Sequence, residues 1–126
     1  MYIINNDVEN EINIKKSRFI GKLIYIDDVN KVNDIINDLK KEHKKCTHIA
    51  YAYIINGMEK AFDDKEPSGT AGKPILNVLQ KKNVTNVLAI VIRYFGGIKL
   101  GAGGLVRAYS KSISETFKLT ELKEKE

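Results

Sequence analysis

The segment that most constrains the fold runs from Val84 to Phe117. VTNVLAIVIRYF is apolar on both faces from Val87 to Ile92, passes directly into GGIKLGAGG, and continues into a helix with Leu105, Val106, Tyr109, Ile113 and Phe117 on one stripe. A strand with no polar face belongs in the interior of a sheet. Five of the nine glycines lie between Gly96 and Gly104, where glycine permits positive φ and close approach of another molecule to the main chain. A helix starting near Ala102 turns unpaired N–H groups and the positive end of its dipole outward, which makes an anion site. Arg93, Gly96, Gly97, Lys99, Gly101, Gly103, Gly104 and Arg107 are the candidate anion- or nucleic-acid-binding residues. The order of residues matches neither a Walker loop nor a dinucleotide fingerprint. The competing interpretation is a tight strand-to-helix connection in which glycine serves packing alone.

Around this unit the periodicities assign the remaining elements. Tyr2 to Ile4, Ile12 to Ile14 and Phe19 to Ile26 are rich in branched and aromatic residues, as expected of an N-terminal strand pair or hairpin. Asp27 and Asp28 offer caps to a helix with Val29, Val32, Ile35, Ile36 and Leu39 at helical spacing. CTHIAYAYIIN alternates as a strand, GMEKAFDDKEPSG is expected to be a polar loop, and Ser68 or Thr70 is positioned to cap a helix through Leu79. The expected order is ββαβαβα, an α+β fold built as a two-layer α/β sandwich with its helices on one sheet face. Residues 1–118 are expected to form one domain and the charged tail 119–126 to fray.

Composition narrows the function classes. The chain has 126 residues, 43% hydrophobic and 29% charged, which fits one ordinary globular core. Its net charge is +5, yet Pro67 to Lys118 carries eight Lys and Arg against Glu115 alone, a local +7 that resembles the footprint of a phosphate-contacting surface. Cys46 has no cysteine partner, the N-terminus lacks a secretory signal, and the apolar run is too short to span a membrane, so a cytoplasmic location and no membrane partner are expected. Asp63, Asp64, Glu66, Ser68 and Thr70 form a possible supporting acidic loop, able to do acid-base work or to pair with Lys73 or Arg107. Cys46 and His48 share a strand face by spacing but sit too far apart for a direct hydrogen bond. His43 ends a helix and carries no catalytic role. No metal-ligand spacing, cofactor motif or nucleophile with its base is apparent, so no catalytic residue, metal or cofactor is assigned.

Four stretches carry a resemblance: KSRF at Lys16 to Phe19, HIAYAY at His48 to Tyr53, DDKEPSGTAGKPIL at Asp63 to Leu76 and VIRYFGGIKLGAGGLVRAYS at Val91 to Ser110. Together they resemble the IMPACT/YigZ family, from about Lys16 to Phe117. Lys16, Arg18, His48 and Tyr94 enter as further family-motif residues. The resemblance implies a sandwich similar to the second domain of a small-subunit ribosomal protein and the fourth domain of the translocating elongation factor. It also implies a link to translation: eukaryotic members compete for the scaffold protein that activates an initiation-factor kinase, and bacterial members have been proposed to bind nucleic acid. Bacterial relatives usually add a ferredoxin-like domain after the last helix, and eukaryotic ones carry another domain before the first strand. This chain shows neither, and it has Lys65 where the family's acidic motif has glycine. The leading expectation is a non-enzymatic, translation-associated protein contacting RNA phosphate or a ribosomal partner. An enzyme acting on a small phosphorylated ligand through the acidic loop, and a pure protein-binding module, are the alternatives.

Overall fold

The structure is a computed structural model describing residues 1–126. Seven strands and three α-helices follow the order β1 (Tyr2–Ile4), β2 (Val8–Ile14), β3 (Ser17–Tyr25), α1 (Val32–Glu42), β4 (His48–Ile55), β5 (Met58–Phe62), α2 (Gly72–Lys81), β6 (Val87–Tyr94), α3 (Gly101–Phe117) and β7 (Leu122–Glu124). The main sheet is antiparallel in the order β2-β3-β6-β4-β5. β6 lies at its centre and is buried from Val87 to Arg93, as its two-faced apolar sequence requires.

Alternation along β6 divides the interior in two. Val87, Ala89 and Val91 join Phe19, Ala50, Ala52 and the buried stripes of α2 and α3. Leu88, Ile90 and Ile92 join Ile20, Ile49, Ile55 and the Val32, Ile36, Leu39 stripe of α1. The fold is therefore an α+β sandwich in which α2 and α3 cover one sheet face. The expectation of all helices on that face fails for α1, which covers the other.

Three more local expectations need correction. Residues 58–62 form an edge strand, not a loop, entered through the Asn56-Gly57 turn, where both residues have positive φ (50° and 83°) as a two-residue hairpin turn requires. The tail does not fray throughout: β7 pairs with β1, and Lys125 N–H donates to the Met1 carbonyl at 2.9 Å. Neither Ser68 nor Thr70 caps α2, whose flanking residue is Ala71 with no capping side chain of its own. Asp63 takes that role from a distance: its carboxylate accepts from Gly69, Ala71 and Gly72 N–H at 2.9, 3.2 and 2.8 Å. An anion on the amides that lead into the helix, Gly72 at its first position included, satisfies an orphan donor and the helix dipole.

Candidate functional site

β4, β6 and α3 bring the two candidate loops together at one end of the sandwich. His48 opens β4, Arg93 is near the end of β6, and α3 begins at Gly101. His48 and Arg93 are direct cross-strand partners. A cleft of about 420 Å³ lies between the acidic turn, which contributes Glu66 and Pro67, and the glycine loop, which contributes Lys99, Gly101 and Ala102. Thr47, His48, Phe95, Leu100 and the buried Arg93 and Leu105 complete its walls.

The acidic turn is fully engaged. Asp64 and Lys65 both have positive φ (48° and 67°), and Glu66 N–H closes the turn on the Asp63 carbonyl at 3.1 Å. Lys65 thus holds the left-handed backbone that glycine adopts without steric cost. The Asp64 carboxylate accepts from Ile49 N–H at 2.6 Å. Its carbonyl lies 2.7 Å from His48 Nδ1, and because a carbonyl only accepts, that nitrogen carries the hydrogen. His48 Nε2 then faces Glu66 Oε1 at 3.4 Å.

Glu66 is 7% exposed and forms a buried ion pair with Arg93, itself 5% exposed, at 2.8 Å. Tyr109 donates its hydroxyl to the same Glu66 oxygen, and Arg93 also donates to Ser17 Oγ at 3.3 Å. Burial, then the hydrogen bond to Glu66, push the Tyr109 phenol far above its ordinary range, so it remains a donor. Arg93 is consequently no free cation, and the expected pairing of the acidic loop with Lys73 or Arg107 is replaced by Glu66 with Arg93.

The glycine loop is engaged only at its start. A Cβ on Gly96 would lie 2.0 Å from the Lys16 carbonyl oxygen, and Gly96 N–H donates to Ser17 Oγ at 3.2 Å. Packing alone explains this glycine. Gly97 and Gly101 have φ of +90° and +74° with open space around them, so they serve the backbone path. The first turn of α3 has no side-chain cap, and Gly101 and Ala102 line the cleft. Lys99 lines it too and is outside every ion pair. Arg107 and Gly104 line a separate cavity with Ile14, Lys15 and Lys111, so Arg93, Lys99 and Arg107 do not converge on one point. Gly103 has the Arg107 guanidinium as its neighbour.

The other motif residues are placed apart from the cleft. Arg18 forms a two-pronged pair with Glu11 (3.1 and 3.0 Å) and lies over the Tyr94 ring at 4.7 Å. The Tyr94 hydroxyl meets His43 Nδ1 at 2.6 Å, and its ring packs with the α1-side core. Lys16 occupies the β2–β3 turn at φ +67°. Ser68 is exposed, and the Thr70 hydroxyl donates to the Pro67 carbonyl. Cys46 lies before β4 and packs with the α1-side core, while His48 lines the cleft, so the two do not share a strand face. Burial, then the Asp64 charge, raise the Cys46 pKa, the wrong direction for a nucleophile. No three His, Cys, Asp or Glu side chains are grouped to hold a metal ion, and no helix is long and apolar enough to cross a membrane.

The sequence reasoning missed Phe95, Ser17, Tyr109 and Thr47 as parts of this end of the molecule. Phe95 looks like a continuation of the apolar strand, but β6 ends at Tyr94 and Phe95 is 46% exposed.

The model of the Impact N-terminal domain family matches residues 15–117. The chain is 52% identical over 110 residues to the IMPACT family member YvyE of Bacillus subtilis, covering 85% of this chain and 51% of that one. It is 38% identical over 110 residues to the IMPACT family member YigZ of Escherichia coli, covering 83% and 54%. The chain therefore spans about half the length of these relatives. A crystal structure described as that of a hypothetical protein superimposes with a TM-score of 0.92 at 35% identity, covering 98% of this chain and 63% of the other.

Proposed function

The chain belongs to the Impact N-terminal domain family, and from that premise we propose a translation-associated binding protein, not an enzyme, whose cleft receives RNA phosphate. The observation that carries this reading is the contrast across the cleft: the first turn of α3 is uncapped beside an unpaired Lys99. Main-chain N–H groups at a helix start, reinforced by one lysine, suit a phosphate oxygen. With Arg93 neutralised by Glu66, the other seven Lys and Arg between Pro67 and Lys118 stand against Glu115 alone, a local +6 that adds a long-range attraction for a polyanion. The translation context comes from the family resemblance, and a cytoplasmic site of action goes with it.

The non-enzymatic part is supported by how the carboxylates are engaged. Asp63 and Asp64 accept backbone N–H groups, and Glu66 is paired with Arg93. Each carboxylate is thus held by main-chain donors or by an ion pair, which favours a structural part for it. Binding of labelled single-stranded and hairpin RNA across a salt series tests the reading. Affinity is expected to fall with salt, with a slope of roughly 0.7 per phosphate contacted on single strands, and Lys99→Glu is expected to weaken it further. Failure to bind at low salt, or identical binding by Lys99→Glu, overturns the reading.

A further inference from the structure

We infer that the cleft holds one unpaired nucleotide, with its phosphate on the first turn of α3 and Lys99 and its base stacked on Phe95. This rests on the RNA reading above and names the part of the RNA that is bound.

Phe95 is exposed but not loose. Its N–H donates to Thr47 Oγ1 at 2.9 Å, and the next residue, Gly96, is pressed against the Lys16 backbone and tied to Ser17. The ring is thus carried on main chain fixed at two consecutive amides. The Arg93 guanidinium lies 5.5 Å from the ring centroid, while 46% of the residue stays open to solvent. An aromatic ring with open surface on a fixed stretch of main chain is a stacking platform, and every base has a π-face to lay on it.

The same cleft supplies the anion contacts. Besides Lys99 and the α3 amides, its wall includes the nine-tenths-buried Arg93, whose charge is already held by Glu66, so the phosphate falls to the amides and Lys99. A volume of about 420 Å³ is that of a small-molecule pocket, in the range of roughly 300–1,000 Å³, and not that of a groove reader. A base must leave its helix to reach Phe95, so single strands are the ligand and duplexes are not.

The chain contains no tryptophan, so Phe95→Trp installs a single reporter on the platform. The probes are oligouridine of about eight nucleotides and an abasic oligonucleotide of equal length. Oligouridine is expected to quench the tryptophan, and the abasic strand to leave it unquenched. Phe95→Ala is expected to weaken oligouridine binding at least about fivefold without changing abasic binding. No quenching, with oligouridine still bound in a Lys99-dependent way, overturns the stacking inference and leaves the phosphate reading standing. Absence of binding to either strand overturns both. Equal affinity for a duplex also contradicts the inference.

Discussion

Two loops flank the cleft, and they use their polar groups in opposite ways. In the acidic turn, Asp63 caps α2, Asp64 holds Ile49 and His48, and Glu66 neutralises Arg93. In the glycine loop, only Gly96 is held, and the amides that open α3 have no side-chain partner. A loop that satisfies its own donors and acceptors is part of the scaffold. One that leaves them open at a concave surface has capacity for a ligand. The acidic turn, which the sequence offers as a supporting loop able to do acid-base work, is scaffold by this measure.

If that division is correct, changes in the turn cost stability and changes in the open part of the loop cost binding. Arg93→Ala is expected to have the largest effect, a loss of roughly 3–5 kcal/mol in urea unfolding, because the buried Glu66 loses its arginine counter-charge and keeps only the Tyr109 hydroxyl on that oxygen. A loss below about 1 kcal/mol would mean that water reaches Glu66 easily. Asp63→Ala is expected to cost about 2 kcal/mol, since the amides of Gly69, Ala71 and Gly72, leading into α2, lose one acceptor. Lys65→Gly acts in the other direction and gains up to about 1 kcal/mol in midpoint-derived stability by relieving the left-handed backbone. Lys99→Ala is expected to stay within about 0.5 kcal/mol of the parent, as a surface residue with no partner should. A clear destabilisation by Lys99→Ala would place the glycine loop with the scaffold and erase the contrast.

The central unit was legible because its signals are local. Six consecutive apolar residues followed by clustered glycines and a helical stripe allow few arrangements, and strand β6 and helix α3 follow from them. β5 was not legible because all five of its residues are exposed, so no apolar alternation marks it. β7 is LKE and is held by main-chain pairing that side chains do not report. The face chosen by α1 was equally hidden: an amphipathic stripe shows that a helix buries one side, not which sheet face it covers.

The candidate site divides along the same line. Lys99 and the α3 start could be placed from sequence, since a strand, a glycine loop and a helix position them locally. The Glu66 and Arg93 pair spans 27 positions and the Tyr109 contact 43, so only the folded chain reveals that Arg93 is neutralised. Asp63 reaches α2 amides up to 9 positions away, beyond the spacing at which Ser68 and Thr70 looked like natural caps. Phe95 was hidden by its position directly after an apolar strand.

The central claim, that the unsatisfied donors of the glycine loop are where phosphate is held, is tested most directly by following backbone amide resonances while oligouridine is added. The account predicts shifts confined at first to Lys99, Leu100, Gly101, Ala102 and Gly103, with Gly69, Ala71 and Gly72 unmoved because Asp63 already occupies them. Shifts at the α2 amides with none at the start of α3, or no shift at either helix, would contradict it.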